Sequence, residues 1–299
     1  MRLLFAGLAT VDLVQRVARF PGADEKVQSE SVDVAAGGPA ANAAVTAAAL
    51  GAPLGIEVTL VSVVGSHSLG DLVRADLAAH GVTLIDAAPD SPEPPPVSAV
   101  TVLATTGERT IVSRNAGGRA VAVPAEGLLP GADLTLVDGH HPALAVAAAR
   151  SARRLLVDAG SWRPVFAEIF PHADVVACSG DFRHPAADGD SDAATAAAVA
   201  APHVVITHGA APVSWHSAAR PGEISAARPG EMSAARSGEV AVPRVRAVDT
   251  AGAGDAFHGA LAVALVQGRE LREAIGYASR TAAVRVAHAG PRAWLAHLP

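Results

Sequence analysis

The chain holds a single cysteine, Cys178, and a single lysine, Lys26, and aromatic residues make up only 3% of its 299 positions. One cysteine excludes an internal disulfide framework and any multi-thiolate metal site, and makes a reducing compartment the default. One lysine excludes the P-loop, because Glu25 precedes Lys26 and no glycine-rich run leads into it. Trp162, Trp215 and Trp294 are too scattered to form a base-stacking platform. A basic excess is missing too. The 23 basic and 29 acidic residues leave a formal charge of −6, which opposes nucleic acid or an anionic membrane as a partner.

No membrane span is expected either. Residues 34–56 are uncharged over most of their length, but they are Ala-rich and broken by Gly37, Gly38, Pro39, Asn42, Gly51 and Pro53. The apolar start, residues 1–9, meets Asp12 too early for a secretory core and reads as a buried first strand. A cytoplasmic protein is the expectation. Hydrolase signatures of the Gly-x-Ser-x-Gly and His-Glu-x-x-His types are absent.

Half of the residues are apolar, enough for a sizeable core in a chain of this length. Short β-rich runs at 3–8, 58–64, 134–138, 155–158, 175–178 and 204–207 alternate with Ala-rich segments of helical length. The helical segments are 40–50, 69–80, 143–153, 193–200, 253–266 and 271–288. Continuously apolar strands separated by helices predict an α/β fold with a parallel sheet covered on both faces. Residues 14–18, 27–34, 97–103 and 109–113 instead alternate apolar with polar, which means one wet face and fits either a small separate sheet, a lid over a pocket being one use, or an ordinary edge hairpin. The last two pieces would form a hairpin turning at Thr106-Gly107. Three tandem octapeptides (SAARPGEI, SAARPGEM, SAARSGEV) at 217–240 read as an expanded surface loop.

Two glycine segments carry chemistry. The stretch Asp249-Thr-Ala-Gly-Ala-Gly-Asp255 follows the strand-like 245–248 and enters an Ala-rich helix. Gly252 and Gly254 let the backbone approach a ligand. The amides from Ala253 onward start a helix, where they are unpaired and sit at the positive end of its dipole, so they suit a phosphate. The alternative is an ordinary strand–helix turn with Asp255 as a helix-start acid. A Rossmann fingerprint fits poorly, because Phe257 stands where the third glycine belongs. The second segment, Gly37-Gly38-Pro39-Ala-Ala-Asn42, also opens a helix. Asp12 follows the first strand, at the carboxyl edge where open α/β sheets bind ligands. His140-His141 follows the strand ending at Asp138 at that same edge, without partners at metal-ligand spacing.

Taken together, Asp12, Gly37-Gly38…Asn42 and Asp249–Asp255 resemble the PfkB, or ribokinase-like, family of sugar kinases, over nearly the whole chain. Within it, Gly38-Pro-Ala-Ala and Phe257-His-Gly-Ala-Leu-Ala look closest to the branch containing ketohexokinases and sulfofructose kinase. The resemblance implies a single domain, 1–299, with a Rossmann-like three-layer α/β/α fold. A small β-lid would come from about 12–35 and 97–113. It also implies ATP-dependent phosphorylation of a sugar hydroxyl, with ATP and Mg²⁺ required. Asp255 would be the base, and Gly252, Ala253 and Gly254 an anion hole. Asp12, Gly38, Asn42 and Arg109 would hold the sugar, and Thr207 and Gly209 would lie along the nucleotide. Asp249, with the main chain of 287–290, would form a loop for a monovalent cation, K⁺. A homodimer through the β-lid is a further expectation. The usual Asn-x-x-Glu that helps place magnesium is replaced by Ser179-Gly-Asp181-Phe182, where Asp181 is the substitute at hand. A nucleoside kinase of the same family and a catalytically idle sugar or nucleotide sensor are the alternatives; the intact Asp255 between its glycines speaks against the sensor.

Overall fold

The computed structural model describes residues 1–116, 129–218 and 236–298. Strand β1 (Arg2–Ala6) leads into β2 (Thr10–Val17), which leaves the main body and returns as β3 (Ser31–Gly37). Helix α1 (Pro39–Gly51) follows at once, with Pro39 in the first turn, where its missing N–H is no loss. Next come β4 (Glu57–Ser62), α2 (Ser68–Ala79) and β5 (Val82–Asp86). Strands β6 (Val97–Leu103) and β7 (Arg109–Ser113) form an antiparallel hairpin. The α/β rhythm then resumes with β8 (Leu134–Val137), α3 (Pro142–Ser151), β9 (Leu155–Ala159) and the short α4 (Phe166–Ile169). It continues through β10 (Val175–Ser179), α5 (Asp192–Val199) and β11 (His203–His208). An antiparallel pair, β12 (Ala211–Ser217) and β13 (Arg236–Val240), precedes α6 (Ala253–Val266) and α7 (Leu271–Val286).

Among the described residues these strands form two sheets. The larger has the order β13-β12-β11-β10-β9-β8-β1-β4-β5 and is parallel from β11 through β5. Successive residues of a strand point to opposite faces, and both faces are covered. Leu3 and Phe5 pack with α1, α6 and α7 in one core, whereas Leu4 and Ala6 pack with α3 and α4 in the other. This is why the strands read as unbroken apolar runs. The smaller sheet, β3-β2-β6-β7, has its own core of Val14, Val100 and Val102 and is the expected lid.

Some expectations shift. β5 is a strand that the sequence analysis did not pick out, and residues 27–30 are not part of β3. Residues 245–248 are not a strand; the Val248 and Asp249 N–H groups donate to Val286 O instead. The octapeptide tract is not a loop throughout. Ser217 ends β12 and pairs with Arg236, so residues 236–240 of the third copy are sheet. The copies' remaining residues, 219–235, lie outside the described residues. Among the described residues no helix is long and apolar enough to cross a membrane.

Candidate active site

Parallel pairing brings the carboxyl ends of the central strands to one edge. Ala6 lies opposite Val137, Val137 opposite Val157, and Ser179 opposite Thr207. Asp138, Asp158 and Ser179 therefore crown the sheet beneath the lid. Asp138 is structural there. It accepts from the Leu8 and His140 amides at 2.8 and 2.9 Å, and a side chain at Gly7 would collide with it.

A cavity of about 560 Å³ opens between this edge and the lid. Its lining includes Asp12, Gly38, Asn42, Arg109, Gly252 and Asp255, six of the residues expected in the site. It also includes Asp158, His140, Arg163 and Asp181. Asp158 and Arg163 were missed by sequence reasoning. The signal for Asp158 was available, because it ends a strand at the same edge as Asp138. Thr207, Gly209, Ala253, Gly254 and Asp249 do not line this cavity. Thr207 and Gly209 follow on from Ser179 along the sheet edge, with Gly209 at φ 63° and the Thr207 carbonyl close to Gly180.

Asp255 occupies the first turn of α6, behind Gly252 at φ 68°, a backbone region that favours glycine. The Gly254 and Asp255 amides have no acceptor among the described residues, as a helix start requires. Ala253 differs from the expectation, because its amide reaches Thr250 O at 3.4 Å. Asn42 Nδ2 donates to Asp255 Oδ2 at 2.8 Å. Its Oδ1 accepts from Arg292 Nη1 at 3.1 Å, and Arg292 pairs with Asp76 of α2 at 2.8 Å. Asn42 thus has both ends of its amide engaged, and it orients Asp255. Arg292 carried no sequence signal, since it lies in the irregular segment after α7.

Electrostatics set Asp255 apart. Burial, and next the Asp158 carboxylate, push its carboxyl up from the ordinary 3.8 to about 6, against the pull of the Asn42 hydrogen bond. His258 Nδ1 lies 3.1 Å from Asp158 Oδ2. Burial opposes a charge on that imidazole, but the Asp158 and Asp255 carboxylates together outweigh it, and the His258 pKa is raised. On the lid, burial also raises Asp12, against the 2.6 Å hydrogen bond from Thr10 Oγ1. An added Cβ at Gly37 would fall on the Asp12 carboxylate, so the glycine makes room for it. Arg109 Nη1 donates to Thr250 Oγ1 at 2.6 Å, tying the lid hairpin to the loop before Gly252. Cys178 is buried, with its thiol held far above the ordinary range, and is no nucleophile.

Chemically, the cavity offers a carboxylate able to accept a proton near neutral pH, beside free backbone amides suited to an anion. The model of the pfkB family of carbohydrate kinases matches residues 2–297. A ribokinase of Bacillus subtilis (strain 168) is 28% identical over 298 residues, spanning 95% of this chain and 92% of the relative. Among solved structures, ribokinase from Giardia lamblia has a TM-score of 0.75 at 20% identity and covers 98% of this chain and 95% of its own. Arabidopsis thaliana ribokinase, solved with ribose and ATP, has a TM-score of 0.66 at 20% identity, with 96% and 93% covered.

Proposed function

Because the chain belongs to the pfkB family of carbohydrate kinases, we propose that it transfers the γ-phosphoryl group of ATP to a sugar hydroxyl, with Asp255 as the base. The observation that carries this reading is the elevated Asp255 carboxyl, oriented by Asn42 beside the unpaired amides of the α6 start. A base poised near the working pH is what general-base chemistry needs. Asp255 takes the hydroxyl proton as the acceptor oxygen attacks the γ-phosphorus. The bond from that phosphorus to the bridging oxygen breaks, and ADP leaves. The Gly252–Gly254 turn presents its backbone to the charge that builds on the phosphoryl oxygens.

Asp12, Gly38, Asn42 and Arg109 are assigned to the acceptor, a ketohexose or related carbohydrate. The cavity favours a polyol over a nucleoside, because among the described residues no Phe, Tyr or Trp lines it to stack on a base. Thr207 and Gly209 are assigned to the nucleotide. Magnesium fits Asp181, an exposed carboxylate on the rim of the same cavity, because Mg²⁺ keeps several waters and needs few protein ligands. The lid's outer face, with exposed Val34 and Val112, is assigned to a homodimer. ADP release with ATP and Mg²⁺ is the test, across ketohexoses, ribose, other pentoses and nucleosides. Turnover confined to nucleosides would overturn the acceptor assignment. Its absence with every acceptor would overturn the kinase reading.

A further inference from the structure

The loop that presents Gly252 is held by a buried cluster of oxygens gathered around a positive charge. Asp249 is 1% exposed and Arg285, in the last turn of α7, is 4% exposed. Arg285 Nη2 lies 3.2 Å from Asp249 Oδ2. Its Nη1 donates to His288 O at 3.0 Å and lies 3.5 Å from Asp249 O. One guanidinium therefore collects a carboxylate and two main-chain carbonyls, from both loops that were expected to enclose a monovalent cation.

The rest of the Asp249 shell is also made of donors. Its Oδ1 accepts from the Ala251 amide at 3.0 Å, and its Oδ2 from the Gly290 amide at 3.2 Å. Arg16 of the lid adds a second guanidinium, 3.6 Å from Asp249 Oδ2 and 3.4 Å from Val248 O. Two arginines face one carboxylate, so the local balance is already positive. A metal cation entering here would meet like charge and lose oxygens already committed to Arg285. The residues present do not fit a potassium ion.

We propose that Arg285 is a built-in counterpart of that ion: a positioning residue whose fixed charge locks the 249–252 and 287–290 loops and makes the enzyme independent of monovalent cations. Its Nε lies 3.8 Å from where a Cβ on Gly252 would stand, so the charge sits directly behind the turn assigned to phosphate. A guanidinium can do this where a metal ion would. Its planar fork satisfies several oxygens at once, and its charge cannot be lost by deprotonation. The proposal rests on the kinase reading of the site, and the test separates the two.

Turnover with the fastest acceptor, and ADP affinity by calorimetry, are compared in potassium chloride and tetramethylammonium chloride at equal ionic strength. The wild type is expected to differ by less than about twofold between the salts in both readouts, because its loop charge is covalently attached. Arg285→Met, which keeps an apolar stem without the charge, is expected to lose about tenfold or more in kcat with a nearly unchanged KM for sugar. Potassium or free guanidinium should restore much of that loss, which a purely structural role would not allow. Activation of the wild type by potassium of about fivefold or more, in turnover or ADP affinity, overturns the proposal. So does full activity of a folded R285M in tetramethylammonium. If R285M does not fold, the wild-type salt comparison still decides. A chain that binds ADP equally in both salts but phosphorylates nothing would refute the kinase reading and leave this one standing.

Discussion

Asp255 concentrates the residue-scale argument, because one side chain couples stability to pH and also carries the proposed chemistry. Its folded-state pKa of about 6 exceeds the ordinary 3.8, so the fold binds this proton more tightly than the unfolded chain does. The linkage therefore removes stability as pH rises from about 4 to about 6, and the cost persists above that range. After allowance for the partial exposure of the site, the cost is about 1–2 kcal/mol. Asp255→Asn should melt a few degrees higher than wild type at pH 7.5, and the gain should vanish below about pH 4. Turnover should fall by about a hundredfold or more, since an amide cannot take the hydroxyl proton. A variant that neither gains stability nor loses turnover would leave Asp255 a mere helix-start acid. The wild-type rate should have an acidic limb near pH 6. Asp158→Asn removes the neighbouring carboxylate that helps raise Asp255, so the limb should move to lower pH; an unmoved limb would deny that coupling. Single residues were legible in the sequence where a motif framed them, as with Asp12, Asn42 and Asp255. Arg163, Arg285 and Arg292 were not, because their partners lie far away in the chain and only the fold brings them together.

At the scale of elements, glycine placement and strand register carry the site. Gly37 pairs with Thr10 across β2 and β3, and its bare Cα leaves space for the Asp12 carboxylate. Gly37→Ala should displace Asp12 and leave sugar hydroxyls unpaired. The expected cost is about 1–3 kcal/mol in acceptor binding, read as a raised KM with ATP affinity near wild type. Equal losses for both substrates would mean that the lid strand itself had moved. The β12–β13 pair gives a second test. Ser217 already faces Arg236 at the end of that hairpin next to the connection, so the register is fixed before the connection begins. Deleting residues 225–232, one repeat, should leave melting temperature and turnover unchanged, because closure entropy varies slowly with loop length. A large drop in either would give the repeat a role in the fold. The alternation of strands and helices was legible because strands buried on both faces must be apolar throughout, and the lid because its strands are half wet. β13 was hidden inside a low-complexity repeat whose composition carries no strand period. β5 was missed because only β4 flanks it in the sheet and its apolar run is brief.

For the whole molecule, the lid sheet has two faces of different character, and the pairing register shows which residues lie on each. Asp12, Ser98, Arg109 and Ile111 look into the cavity. On the opposite face, Val34 lies beside Leu13, Leu13 beside Ala99, and Ala99 beside Val112, an apolar row running across all four strands. Val34 and Val112 are 49% and 73% exposed. A contiguous exposed apolar row costs free energy in water and is relieved when another surface covers it. The occupant assigned to it is the same face of a second copy, because self-complementary apolar strands pair readily about a two-fold axis. Sedimentation at micromolar concentration should therefore give a dimer, and Val112→Asp should give a monomer, since the new carboxylate would lose its water in the interface. The cavity-facing residues belong to the same thin sheet, whose own core among the described residues is Val14, Val100 and Val102. Freed from its partner, the lid should hold Asp12 and Arg109 less firmly. The monomer should accordingly show a KM for sugar raised by about threefold to tenfold, with kcat near wild type because Asp255 sits on α6 and not on the lid. A monomeric wild type, or a V112D protein that still sediments as a dimer, would remove the lid from the interface and leave its outer row unexplained.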